Sequence, residues 1–367
     1  MTDDELNDNA QDLRAPFPWF DGKSRVAGVV WKAFGDVDNY VEPFAGSLAV
    51  LLGRPGKPKL ETVNDKDYWL ANFWRALQAD PKGVAEAADW PVNEGDLTAR
   101  HIYLVKHIAP ELAERIPADP SYYDVHAAGW WVWGISSWIG SGWCSGKGPW
   151  TERDGRLVRM TEKYEAGVEQ QLIPIGRSGT GVHRASLRDE EGVNIKRIHI
   201  GNAGMGVHRA NLRDDGHKLY DYLAGLADRL RYVRVCCGDW ARVVTDGALS
   251  HGNTVGIFLD PPYDQSLRDD GVYGTDEIGL SAAVREWAIS HGDNPRYRIA
   301  LCGYADEHEM PGDWAVYRWT AGASYQNASG GGRNQDNRKK ETIWFSPGCL
   351  LLNGTVRHEE QLWLFGE

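Results

Sequence analysis

Apolar residues recur along this chain with two different periods. Val26, Val29, Val30, Ala33 and Phe34 share one helical face behind Ser24, a suitable N-cap, which predicts a helix through Phe34. Residues 39–42 read as a short strand entering the turn Pro43-Phe44-Ala45-Gly46, with a helix to follow through Leu48, Val50, Leu51 and Leu52. Leu70, Phe73, Trp74 and Leu77 predict a helix over 67–78 that Pro81 ends, and more helix is expected over 97–115. The period is lost between about 151 and 216, a stretch rich in Gly, Arg, His and Ser that reads as loops and short strands. Regular elements then resume: a helix over 218–231, strands over 233–237 and 255–259, a helix over 280–288, and strands over 297–301 and 342–345.

This alternation predicts an α/β fold, a Rossmann-like doubly wound sheet interrupted by an insertion. The expected division is a disordered tail over 1–12, a catalytic domain made of 13–80 and 218–352, an inserted recognition region over 81–217, and a C-terminal tail over 353–367.

The chain has 367 residues, of which 42% are hydrophobic, enough to bury a full core. No run reaches the roughly 18 to 20 apolar residues of a membrane span, and the first dozen residues are acidic where a signal peptide is basic and then apolar. A cytoplasmic protein without a membrane partner is expected. The five cysteines form no CxxC pair and have no His spaced to complete a zinc site, so they read as reduced structural thiols and no metal is expected. The formal net charge of −12 argues against a nucleic-acid partner until the distribution of charge is considered.

The sharpest chemical signal is Asp260-Pro261-Pro262-Tyr263, placed directly after the apolar run 255–259. Ligands of open α/β sheets bind at the carboxyl ends of strands. A Pro-rich turn explains the two prolines but not the carboxylate and the aromatic ring beside them. The tetrapeptide suits an amino group on an aromatic base. Asp260 and the Pro261 carbonyl, held rigid by the proline ring, can each accept one amino hydrogen, and Tyr263 can stack on the base.

Three further islands stand at expected strand or helix ends. Tyr40 to Ser47 forms a strand and a Gly-containing turn, with Asp65 following Gly46 by nineteen positions, about where a Rossmann-like unit places an acid on ribose hydroxyls. Pro18-Trp19-Phe20-Asp21-Gly22-Lys23 precedes the first helix, where Gly22 permits close backbone approach and Lys23 can meet a carboxylate. Cys237-Gly238-Asp239-Trp240 ends another strand.

Together and in this order, these islands resemble the Dam-type DNA adenine-N6 methyltransferases. The resemblance spans most of residues 13–347 but is specific only in the islands. It implies a class I methyltransferase sheet that binds S-adenosyl-L-methionine and acts on double-stranded DNA by base flipping, as a monomer or weak dimer. By position it implies that Trp19, Gly22 and Lys23 belong to a cofactor motif and that Glu42, Phe44, Ala45 and Gly46 form the methionine-side loop. Asp65 would bind the ribose, Asp239 and Trp240 would lie near the cofactor adenine, and Asp260, Pro261, Pro262 and Tyr263 would be catalytic, with Asp260 also beside the cofactor. Two residues depart from the pattern: Asp21 replaces the first glycine of a Gly-Gly-Lys motif, and Leu48 stands where a second glycine of the turn is common.

Candidate DNA contacts lie in three places. In the tryptophan-rich stretch 130–150, Trp130, Trp131, Trp133 and Trp138 read equally well as helix core, whereas Trp143 and Trp150, set among Gly, Ser and Lys147, are the better contacts. Residues 181–189 recur as 206–214, placing His183, Arg184 and Arg188 in register with His208, Arg209 and Arg213. From Arg177 to Arg213 there are seven Lys or Arg against three acids, opposite in sign to the whole chain. A solvated charged loop is the competing reading. Arg333, Arg338 and Lys339 form a second basic group able to clamp phosphates.

Two other activities remain open on sequence alone: cytosine-N4 methylation, and DNA binding by the same fold without catalysis. Cytosine-C5 methylation requires a nucleophilic cysteine beside a proline, and no Pro-Cys pair occurs.

Overall fold

The structure, a computed structural model, describes residues 13–19, 23–138, 143–144, 150–153, 156–159, 217–263, 279–305, 307–319, 341–350 and 356–357. In chain order the helices and strands are α1 (Ala27–Phe34), β1 (Asn39–Glu42), α2 (Ala49–Leu52), β2 (Leu60–Asp65), α3 (Tyr68–Ala79), α4 (Pro81–Ala88), α5 (Glu94–Tyr103), α6 (Ala109–Ala118), α7 (Val125–Ser137), β3 (Trp150–Arg153), β4 (Arg156–Arg159), α8 (His217–Leu230), β5 (Arg234–Cys237), α9 (Asp246–Leu249), β6 (Val255–Leu259), α10 (Leu280–His291), β7 (Tyr297–Tyr304), β8 (Ala315–Trp319), β9 (Glu341–Phe345) and β10 (Val356–Arg357). Among the described residues no helix is long and apolar enough to cross a membrane.

One sheet runs β10-β8-β9-β7-β6-β1-β2-β5. The block β7-β6-β1-β2-β5 is parallel throughout, while β9 is antiparallel to both β7 and β8. The chain leaves β1 toward β2 and β5 on one side and returns through β6 and β7 on the other. The order therefore reverses between β1 and β6, and the carboxyl ends of these neighbours border the crevice where doubly wound sheets bind ligands.

At the centre of the sheet β6 is buried along its whole length and is apolar throughout, as expected of a strand covered on both faces. Side chains alternate between two cores with period two. Tyr40, Phe258, Ala300, Cys302, Ile343 and Phe345 face one core together with α1, α3, α4, α7 and α8. Val41, Ile257, Leu259, Ile299, Leu301 and Trp344 face the other, with α9 and α10.

Several boundaries differ from the sequence reading for local reasons. Lys23–Arg25 form a 3₁₀ turn, and the backbone of Val26, not the side chain of Ser24, opens α1. Pro81 does not simply end a helix: Asp80 caps the Gly83 N–H, and Pro81, which lacks an N–H to leave unpaired, starts α4. The helix expected over 97–115 is α5 and α6 joined by the π-helical turn Leu104–Ile108.

The largest correction concerns the region assigned to an insertion over 81–217. Its described helices α4 and α7 pack with α3 and α8, and Val84, Ala85, Ala128, Trp131 and Trp133 belong to the core beneath the sheet. Residues 81–137 are thus part of the main body. Of the remainder, the hairpin β3–β4 is described, with β4 lying against α5.

All five cysteines are free. Burial pushes the Cys237 and Cys349 thiols up to about 12, which disfavours the reactive thiolate.

Candidate active site

The loop after β1 is held by the end of β2. Ala45 N–H donates to the Asn64 carbonyl at 2.9 Å, and Gly46 N–H donates to Asp65 Oδ2 at 2.9 Å. The Asn64 side chain donates to the Pro43 and Gly238 carbonyls, each at 3.0 Å, and so joins the loops after β1 and β5. Gly46 has φ +48, and a Cβ there would lie 2.5 Å from the Trp19 indole nitrogen, so this position requires glycine.

Leu48 also has a left-handed backbone, φ +57, which accounts for the glycine that the resemblance would place there. That conformation costs a non-glycine residue about 1 to 2 kcal/mol. The Leu48 side chain is fully buried, and such burial contributes about 1.5 to 3 kcal/mol, which offsets the strain.

Around this loop, Glu42 is buried and accepts the Tyr40 hydroxyl at 3.0 Å. Burial first, with the charges of Asp260 and Asp65 adding to it, raises the Glu42 carboxyl well above its ordinary range and favours its neutral form. Burial likewise raises Asp65, against the bonds it accepts from the backbone of Asp67, Gly46 and Lys66. The sequence reading assigned Asp65 to ribose hydroxyls. Here its oxygens already accept backbone N–H bonds from Gly46, Asp67 and Lys66, and a carboxylate with about four acceptor sites retains room for about one ligand hydroxyl. Phe44 stacks on Trp240 with ring centroids 6.1 Å apart, and exposed Asp239 caps the turn Trp240–Val243.

Asp67, the N-cap of α3, is pushed up to about 7 by burial and by the charge of Asp65. A carboxyl raised in the folded state binds its proton more tightly there than in the unfolded chain, so its ionisation removes stability as pH rises from about 4 to about 7. Asp67→Asn keeps a good cap and removes the charge. The variant should be more stable than the parent by on the order of 2 kcal/mol at pH 8, with the difference vanishing toward pH 4, as read by urea denaturation at both pH values.

At the end of β6 the expected residues converge. Lys23, 7% exposed, places Nζ 3.1 Å from Asp260 Oδ1 and donates to the Tyr263 hydroxyl at 2.9 Å. Asp260 is half-buried, Pro261 buried and Pro262 half-buried. The Tyr263 hydroxyl lies 3.0 Å from Glu341 Oε2 and 3.3 Å from Asp260 Oδ1. A phenol carries one proton, so it donates to one carboxylate at a time, and the shorter contact is to Glu341.

This geometry corrects the role expected of Tyr263. Its ring is 4% exposed and edge-on to Tyr304, with centroids 4.7 Å apart, so it is no open stacking platform and serves as a hydrogen-bond hub.

Glu341, Trp319 and Tyr304 were missed by the sequence reading. Because β9 runs antiparallel, its first residue lies at the carboxyl edge, paired in register with Tyr304 of β7 and Trp319 of β8. The available signal was a Glu placed just before the apolar run Ile343-Trp344-Phe345. The Lys23 ammonium lies 5.9 Å from the Trp319 ring centroid. Among the described residues the buried Trp319 indole nitrogen has no hydrogen-bond partner, and neither has Asn64 Oδ1.

Trp143 is a correction. It is 7% exposed, it donates to the Trp131 carbonyl at 3.1 Å, and it packs on His101 and Trp138. It is a core residue and presents no surface to DNA. Trp150 opens β3. Gly22, Lys147, His183, Arg184, Arg188, His208, Arg209, Arg213, Arg333, Arg338 and Lys339 lie outside the described residues. No group of three or more His, Cys, Asp or Glu that could hold a metal ion occurs among the described residues.

No protein-family model and no curated protein sequence matches this chain.

Proposed function

We propose that this protein is an S-adenosyl-L-methionine-dependent DNA methyltransferase of the class I type that modifies the exocyclic N6 amino group of adenine. The observation that carries this reading is the location of Asp260-Pro261-Pro262-Tyr263 at the carboxyl end of β6, beside the point where strand order reverses and next to the acid-lined loop after β1.

The residues of the crevice fit the cofactor chemically. Asp65 and the orphaned Asn64 Oδ1 offer acceptors for hydroxyl or amino donors. The Phe44–Trp240 pair offers an aromatic wall beside Asp239 for a purine. Bound there, S-adenosyl-L-methionine supplies an activated methyl group.

Asp260 and the Pro261 carbonyl orient the target amino group by accepting its hydrogens, which draws the nitrogen lone pair out of ring conjugation. Lys23 holds the Asp260 carboxylate in place. The preorganised carboxylates stabilise positive charge developing on the nitrogen.

Calorimetry with S-adenosyl-L-methionine tests the cofactor assignment. Asp65→Ala should raise the dissociation constant by about five- to 150-fold, because a donor pair loses its acceptor at a cost of about 1 to 3 kcal/mol. Equal affinity in parent and variant would contradict it.

A further inference from the structure

Methylation of an amino group leaves a proton to be disposed of, and the carboxylate that first receives it, Asp260, is half-buried against a cation. We propose that Tyr263 and Glu341 carry this proton away from Asp260, so that Glu341 is the terminal acceptor of a relay; the proposal rests on the methyltransferase reading.

The geometry of the four side chains supports the relay. The Tyr263 hydroxyl stands between the two carboxylates, 3.3 Å from Asp260 Oδ1 and 3.0 Å from Glu341 Oε2. Its one proton is directed to the nearer oxygen, and its oxygen, which accepts from Lys23 at 2.9 Å, has a second lone pair for a proton from the Asp260 side. Lys23 lies 3.1 Å from Asp260 and 3.9 Å from Glu341, so one ammonium spans both ends of the path. Glu341 is 4% exposed, and a buried carboxylate is retained at a cost in solvation that its contacts must offset.

Atoms and charge balance in this step. The amino nitrogen forms a bond to the methyl carbon while the carbon–sulfur bond breaks, its electron pair remaining on sulfur. The nitrogen then carries positive charge and gives one proton to Asp260 Oδ1. Asp260 passes a proton to the Tyr263 oxygen as Tyr263 passes its own to Glu341 Oε2. The methylamino base is neutral, Asp260 is again ionised, and Glu341 holds the proton. Lys23 remains an ammonium throughout. Tyr263 and Glu341 act on the reacting atoms through Asp260 and are positioning residues in that sense.

The test uses the full chain, radiolabelled S-adenosyl-L-methionine and unmethylated plasmid DNA from a methylation-deficient host, in single turnover. Glu341→Gln should slow transfer about a hundredfold, the low end of the range by which positioned proton acceptors contribute, with cofactor and DNA affinities unchanged. Tyr263→Phe should slow it equally, and the double variant no further, because both break one path. Glu341→Ala should be rescued by added formate and not by chloride at the same ionic strength. A parent-like rate for Glu341→Gln, additive losses in the double variant, or no formate rescue of a folded Glu341→Ala would overturn the relay while leaving the methyltransferase reading intact. A parent chain that transfers no methyl group to DNA would overturn both.

Discussion

Asp260→Ala should lower the single-turnover rate of methyl transfer by about two to three orders of magnitude, as loss of one preorganised electrostatic partner does. The loss should fall on the rate and not on cofactor affinity, since Asp260 acts on the target amino group at the end of β6 while Asp65 and Gly46 shape the neighbouring loop. Lys23 would keep Glu341 as a partner, at 3.9 Å, so the variant should remain folded. Rapid-quench measurement with saturating cofactor and DNA reads this directly, and a rate near that of the parent would remove Asp260 from the chemistry.

Lys23→Met should destabilise the folded chain by about 3 to 5 kcal/mol, because it removes the buried cation shared by Asp260 and Glu341 and leaves two carboxylates facing one another through Tyr263. Adding Glu341→Gln to Lys23→Met removes one of those charges and should restore part of the loss. Urea denaturation of the single and double variants measures both effects. A Lys23→Met protein as stable as its parent would show that Lys23 neutralises neither carboxylate.

The parallel core of the fold was legible because β6 is an apolar run ending at turn residues, the trace of a strand buried on both faces, and because β1 leads directly into the turn Pro43-Phe44-Ala45-Gly46. The edge beyond β7 was not, since β8 is a short strand whose exposed Arg318 breaks the apolar pattern, and its pairing with β9 depends on contacts remote in sequence. Helix α7 shows why no helix was assigned over 125–137. With Ala127, Ala128, Trp131, Val132 and Trp133 all buried, its apolar residues do not mark a single face, and no polar stripe distinguishes it from a ligand-binding stretch.

Within the site, Lys23, Asp260 and Tyr263 were identifiable as residue types at strand or helix ends. Their mutual contacts were not, because 240 positions separate Lys23 from Tyr263 in the chain and only the sheet brings them together. Glu341 escaped for a topological reason: an antiparallel strand delivers its first residue, not its last, to the catalytic edge. Trp143 was misread because its Gly and Ser neighbours resemble a surface loop, whereas its indole fills space beside Gly134 in α7, where any larger residue would collide with it.

The most direct test of the account is transfer of label from S-adenosyl-L-methionine to DNA, followed by nucleoside analysis of the product. The account predicts N6-methyladenine as the labelled nucleoside, formed by the parent chain and lost with Asp260→Ala. Label in N4-methylcytosine would contradict the choice of base, and DNA that acquires no label from a folded chain that binds it would contradict methyl transfer itself.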